Sequence, residues 1–398
     1  MSEKKGLRKK LSYLLSFDTN LVVAVIFLIV FGLIMIYSAS YYTASLKSSF
    51  NYDSAYLLKN QAMYSIVGIA AMLLVANIDY HKYRYLALPA LIGSAVLILL
   101  LLVPGLAVTV NGATRWIKIP GIGQFQVAEP VKVAMIIFCA AFICKYAPKL
   151  NNLKTFIIVM IPTVVIAVMI LQISNNMSTA LIVLGIGFLM AFMVCPKYWP
   201  FVIMVIVGVL GIGLVIYYTI NFADTESAFR ITRIQAWLDP YSYESDTAYQ
   251  ALQALYAIGS GGLFGKGLGN SIQKLGGIPE PYNDMIFAIV CEELGVFGAG
   301  LVILMFIYLL YRLYSVAQRA EDLFGRMLAI GVFSHVALQV VLNLMVVTSL
   351  FPTTGVTLPF FSYGGTATVF LLIEIGIVLN VEKVSRRDRE EGVVVPFR

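Results

Sequence analysis

Histidine and cysteine are nearly absent from this 398-residue chain, which has two of the first and four of the second. The scarcity removes whole classes of chemistry. Two histidines give imidazole catalysis little to work with. Cys139, Cys144, Cys195 and Cys291 lie in or at the ends of apolar segments, without metal-ligand spacing. No disulfide framework is expected, and the thiols read as small buried hydrophobes. There is no Walker lysine loop, no GxSxG, no HExxH and no CxxC. Charge is scarce too: Asp, Glu, Lys and Arg make up 12% of residues, about half the usual share.

What fills the chain is apolar, with 60% hydrophobic residues and a mean hydropathy of +0.87. The apolar runs are roughly twenty residues long, enough to cross a bilayer as helices. A β-barrel would show alternating segments of about ten residues instead, and none are present. The pattern predicts an all-α polytopic membrane protein of about ten transmembrane helices, near 20–40, 61–78, 84–103, 128–147, 154–172, 178–195, 199–221, 284–312, 326–348 and 362–381. A basic tail (1–19) precedes this membrane domain (20–381) and a short tail (382–398) follows it. The basic start and the SAS at 38–40 resemble a signal peptide. The apolar stretch from Leu21 to Tyr37 exceeds the usual h-region of about 7–15 residues, so it is expected to remain as the first span.

A net charge of +7 raises nucleic acid as a partner, but its placement points elsewhere. Lys and Arg gather in the tails and in the short loops near 82, 149, 197 and 319. Lys132 falls within a span, and only Lys47, Lys59, Arg115, Lys118, Arg230, Arg233, Lys266 and Lys274 fall on the other side. This bias predicts a multi-pass protein of the cytoplasmic membrane, surrounded by membrane lipids, with both termini cytoplasmic and no nucleic-acid role. The long connection 222–283 between spans 7 and 8 is then extracytoplasmic. Its middle, YQALQALYAIGSGGLFGKGLGNS, has apolar residues at helical spacing and is expected to re-enter or lie on the membrane. The glycines that follow suit either a backbone-exposing loop that approaches a phosphate or a flexible turn.

Carboxylates are few enough to weigh one by one, and PEPYNDMIFAIVCEELG (279–295) holds four. Asp284 falls where the long loop meets the eighth span, at a water–membrane boundary that suits a tuned general base. Position alone favours a helix-capping role. Glu280, between two prolines, reads as an orienter of Asp284 or as a solvated loop acid. Glu292 and Glu293 lie roughly 12–14 Å further along the helix. They read as a polar lock between helices, or as a relay with His335 and Glu374 in a transporter. Glu129 and Lys132 share a helix face at i, i+3. Arg115, Trp116, Lys118, Arg230, Arg233 and Lys274 could gather a polyanion such as a pyrophosphate.

NGATRWI, QVAEPVKV, the block 249–295 and PTTGVTLPFFSYGG together resemble the SEDS family, the bacterial FtsW, RodA and SpoVE peptidoglycan glycosyltransferases, and lean toward the FtsW and SpoVE branch. The resemblance runs in order along almost the whole chain. It implies a ten-helix enzyme that polymerises lipid II at the outer membrane face, by inversion, into β-1,4 glycan strands. Asp284 falls on the family's essential aspartate, with Glu280 as the glutamate of the same pattern. Glu129 and Lys132 match its fourth-helix motif, Arg115 and Trp116 its arginine–tryptophan pair, and Ser362 to Gly365, Gly364 among them, its last-loop motif. A single-span class B penicillin-binding protein is the implied transpeptidase partner. The substrate-binding set expected on both grounds is Glu280, Arg115, Trp116, Glu129, Lys132, Arg230, Arg233, Lys274, Ser362 and Gly364. No cofactor is indicated by ligand spacing, and a divalent cation is an open alternative. Asn176, Ser178, Tyr282, Asn283 and Thr354 depart from the family's usual residues. A lipid II flippase that uses intramembrane carboxylates is the competing reading.

Overall fold

The computed structural model describes residues 18–110, 113–119, 123–150, 152–222, 229–243 and 248–390. Among these, seven helices are long and apolar enough to cross a membrane, with shorter apolar helices at Met177–Phe192 and Trp199–Gly211. In chain order the helices are α1 (Thr19–Leu46), α2 (Tyr56–Val75), α3 (Ala87–Leu99), α4 (Ala128–Tyr146), α5 (Leu153–Ile173) and α6 (Met177–Phe192). Then come α7 (Trp199–Phe222), α8 (Phe229–Leu238), α9 (Tyr249–Gly261), α10 (Ile286–Arg319), α11 (Leu323–Val347) and α12 (Gly365–Glu390). Polar residues punctuate the apolar runs where helices begin. Asp18 accepts from the backbone N–H of Asn20 and Leu21, Asn152 from Lys154, Asn176 from Thr179, and Asp322 from Phe324 and Gly325. Each cap satisfies backbone donors that the helix itself leaves unpaired.

Residues near both ends of the chain meet at one end of the bundle. Asp18 pairs there with Arg312, Tyr80 with Asp322, and Arg389 with Glu321 at 3.3 Å. The opposite end carries the long connections. A three-stranded antiparallel sheet, unforeseen in an all-α reading, fills the link from α3 to α4: β1 (Ala107–Val110), β2 (Ala113–Ile119) and β3 (Gly123–Gln126), in the order β1-β2-β3. Trp116 pairs with Val108 on one side and Gln126 on the other. α8 and α9 are the α-helices in the described part of the link between α7 and α10. α9 buries Ala254, Ala257 and Gly261 along one face and Leu252 on another, where it packs with Ala236 and Ala248. The helix expected in this loop is therefore present.

α10 is broken at Gly295 (φ 65°, ψ −165°), and the break organises the loop before it. Val296 N–H and Phe297 N–H turn away from the helix and donate to the carbonyls of Gly262 (3.0 Å) and Leu263 (3.2 Å). In return Lys266 N–H and Gly267 N–H donate to the carbonyls of Glu292 and Glu293, each at 2.9 Å. Four backbone groups freed by the break are thus paired by one loop, which non-helical backbone inside a membrane requires. The approach is so close that only glycine fits. A Cβ on Gly265 would lie 2.1 Å from the Glu293 carbonyl oxygen, and one on Gly295 would lie 2.4 Å from the Gly265 nitrogen. Of the glycines expected either to cradle a phosphate or to form a flexible turn, Gly261 and Gly265 are spent on close packing against the α10 backbone, while Gly259, Gly262 and Gly269 face open space.

Candidate functional site

At the sheet-bearing end, Asp284 sits in a turn just before α10. The helix takes Met285 as its N-cap, with no side-chain capping bond, so Asp284 is not consumed by capping. Its carboxylate is half-buried and accepts one side-chain hydrogen bond, from Gln250 Nε2 on α9 at 3.3 Å. Asn343 on α11 fixes the backbone beneath, donating to the carbonyls of both Asp284 and Val356 at 2.7 Å. Burial pushes the Asp284 pKa up to about 6. The negative charge of Glu280 adds to the rise, while the Gln250 hydrogen bond and the charge of Arg233 oppose it. A carboxylate tuned near the working pH is suited to proton transfer.

Two arginines from distant elements face this carboxylate. Arg115, on β2, donates to the Asn175 carbonyl at 3.3 Å, and Arg233, on α8, to the Thr353 carbonyl at 3.1 Å. A methyl group placed on Gly355 would lie 3.6 Å from Arg115 Nη1 and 3.9 Å from Asp284 Oδ2, so the guanidinium and carboxylate confront each other across this glycine. Burial lowers both arginine pKa values; Arg233 adds to the lowering at Arg115, and Asp284 raises both. Both stay cationic at neutral pH. Beside Arg233, a small cleft opens between α8 and the segment 349–353, lined by Trp237, Ala248, Phe351 and Thr353. Trp237 Nε1 donates to the Ser349 carbonyl at 2.9 Å and Ser178 Oγ to the Thr354 carbonyl at 3.1 Å, which fixes that segment.

The remaining expected residues are distributed unevenly. Trp116 follows Arg115 on a strand, so alternation points it to the other face of the sheet. Glu129 and Lys132 form a buried ion pair at 3.0 Å one turn into α4. Lys132 also donates to Gln339 Oε1 at 3.1 Å, and the Gln339 amide donates to the Thr357 carbonyl at 3.0 Å. Glu280 is exposed and bonded to Asn283 (2.6 Å), so it reaches Asp284 through its charge and not as a hydrogen-bonding orienter. Ser362 Oγ accepts from Leu358 N–H at 2.8 Å, and Gly364 N–H donates to Gln61 at 3.1 Å. Both brace the last loop. The Arg230 side chain lies outside the described residues.

Lys274 corrects the expectation that it lines the site. It is fully buried, 2.6 Å from Glu293 Oε1 and 3.1 Å from Ser38 Oγ on α1. Glu292 is held by Lys266 (2.7 Å), the Ser271 hydroxyl and the backbone N–H of Ile272 and Gln273. These acids tie the glycine loop to α1 and α10, as the lock reading expects. Gln250, Gln339 and Asn343 were missed. Uncharged amides inside apolar helices are costly unless partnered, and that cost was the signal available for Gln339 and Asn343. Among the described residues no three His, Cys, Asp or Glu side chains converge as a metal cage. A divalent cation would find Asp284 here and otherwise the phosphates of a substrate.

Residues 19–387 match the model of a cell cycle protein family comprising FtsW, RodA and SpoVE. The chain belongs to the FtsW/RodA/SpoVE family. It is 36% identical over 372 residues to the stage V sporulation protein E of Bacillus subtilis (strain 168), covering 93% of this chain and 98% of that one. It is 37% identical over 367 residues to a probable peptidoglycan glycosyltransferase FtsW of Geobacter sp. (strain M18), covering 92% and 96%. The fold resembles a chain of a peptidoglycan synthase complex that coordinates polymerization and crosslinking, with a TM-score of 0.74 at 23% identity over 94% of this chain and all of that one. It also resembles the rod shape determining protein RodA of Thermus thermophilus, with a TM-score of 0.63 at 25% identity over 94% and 98%.

Proposed function

We propose that this protein is a peptidoglycan glycosyltransferase that polymerises lipid II, with Asp284 as general base. The observation that carries the reading is the half-buried Asp284 carboxylate, pushed toward neutral pKa and faced by Arg115 and Arg233. The names of the FtsW relatives support the substrate class. Asp284 takes the proton from the acceptor sugar's 4-hydroxyl as that oxygen attacks the donor's anomeric carbon. The bond from that carbon to the pyrophosphate breaks with inversion, so an α-linked donor gives a β-1,4 linkage, and undecaprenyl pyrophosphate leaves. Arg115 and Arg233 stabilise the charge on the departing phosphates. Lys132 has one N–H beyond those directed to Glu129 and Gln339, and it contributes a third cation.

The distribution of Lys and Arg supports a sheet-bearing end outside the cell and both termini in the cytoplasm. A class B penicillin-binding protein is the proposed partner, in line with the synthase complex whose chain shares this fold. The flippase alternative finds less support, because Glu293 is closed by Lys274 and Ser38, and one oxygen of Glu374 is held by His335. Polymerisation of purified lipid II, in the presence of the transpeptidase partner, tests the reading. Wild type is expected to make glycan strands and Asp284→Asn to make none; equal product from both would overturn the assignment.

A further inference from the structure

A buried polar chain reaches from Lys132 into the middle of the bundle and ends at two groups that the reaction does not use. His335 on α11 and Glu374 on α12 are each about 1% exposed, and His335 Nδ1 lies 2.7 Å from Glu374 Oε2. On its other side, His335 Nε2 lies 2.8 Å from Gln339 Oε1, which also accepts the Lys132 ammonium at 3.1 Å. Hydrogen-bond chemistry fixes the protons along this path. A lysine ammonium only donates, so the Gln339 atom facing it is the carbonyl oxygen. The Gln339 NH2 group donates to the carbonyl of Thr357 at 3.0 Å, in agreement. His335 Nε2 meets that same oxygen and must therefore carry a hydrogen. One further proton then lies on the contact between Nδ1 and Glu374, whichever atom holds it. With that proton, Glu129, Lys132, His335 and Glu374 sum to zero charge, as an intramembrane cluster should.

We propose that His335 and Glu374 are a positioning dyad: they hold the Gln339 carbonyl toward Lys132 and so fix that cation at the active site. The inference rests on the reading of Lys132 as a substrate-facing cation. Without Glu374, His335 can place its hydrogen on Nδ1. The bare Nε2 lone pair would then face the Gln339 oxygen, and the amide would turn its NH2 group toward the ammonium. The Glu374→Gln substitution avoids this, because the new amide donates to Nδ1 and keeps the hydrogen on Nε2.

Two measurements test the dyad. The chain has two histidines, so 15N NMR of the labelled protein, assigned with His81→Gln, resolves His335 directly. Protonated Nε2 is expected, and an unprotonated Nε2 overturns the proposal without reference to activity. The second measurement is the polymerisation rate at saturating lipid II. Glu374→Gln is expected within about twofold of wild type and Glu374→Leu about tenfold slower, the scale of one hydrogen bond to a charged group. In a Lys132→Met background the Leu substitution should cost nothing further, since no cation remains to be positioned. An equal loss in both backgrounds means a purely structural role and sinks the dyad. Undiminished polymerisation by Lys132→Met also sinks it, while leaving the Asp284 reading to its own test.

Discussion

Two regions of one short segment, residues 279–295, treat their carboxylates in opposite ways. Glu292 and Glu293 are saturated: lysines, serine hydroxyls and backbone N–H groups of the same chain supply their partners. Asp284, nine residues before Glu293, accepts one long side-chain hydrogen bond, from Gln250, and the two arginines facing it direct hydrogen bonds to carbonyls. A fully partnered acid contributes to the fold. A desolvated acid with unmet capacity costs stability, and its neighbours hold it ready for a ligand. In the proposed function, the difference lies in who completes the hydrogen bonding, the protein or the substrate.

The largest expected effect comes from removing the unsatisfied member. Asp284→Asn should lower polymerisation by at least about 10²–10⁴-fold, the range for losing a positioned general base. It should not lower thermal stability. A carboxyl whose folded pKa is raised to about 6 costs stability as the pH rises from the ordinary carboxylate range through that value, so at neutral pH an amide removes a cost. A marked drop in melting temperature for Asp284→Asn would place it among the structural acids and erase the contrast.

The saturated member should respond in the reverse sense. Lys274→Met leaves Glu293 charged and buried, and breaking such a pair costs about 3–5 kcal/mol. The expected result is loss of folded protein in detergent, read by thermal unfolding, with the double variant Lys274→Met/Glu293→Leu recovering much of it. Gly265→Ala should do comparable harm, because its methyl group would strike the Glu293 carbonyl. If Lys274→Met folds normally and only weakens lipid II binding, Lys274 belongs to the site after all.

Much of this was legible in the sequence, for physical reasons that differ by region. Apolar runs must cross the bilayer as helices, so the helical class and most spans follow from hydropathy. Asp284 was visible because a rare charge falls at a span boundary. The β1–β3 sheet was not, because its strands are short and set in a Gly- and Pro-rich connection. Lys274 was misplaced for a related reason: its position in an outer loop gave no sign that the loop dips to the Gly295 break. Sequence spacing also put Glu280 near Asp284 without showing that Asn283 takes its hydrogen-bonding capacity. Gln250 contacts Asp284 across 34 residues, a proximity that only the packing of α9 on α10 creates.

The pH profile sharpens the contrast further. Polymerisation should fall as pH drops through about 6, where Asp284 becomes protonated, and level off above it.

Glu280→Gln should produce the smallest change. Glu280 raises the Asp284 pKa by like-charge repulsion from an exposed position, where solvent and salt screen it. Its removal should shift the acid limb to lower pH while changing the rate at pH 7 by less than about twofold, since Asp284 is already mostly ionised there. The shift should shrink as ionic strength rises, because Glu280 acts through solvent-screened charge and not through contact. A large rate loss at pH 7 that persists in high salt would instead make Glu280 a direct ligand of the substrate.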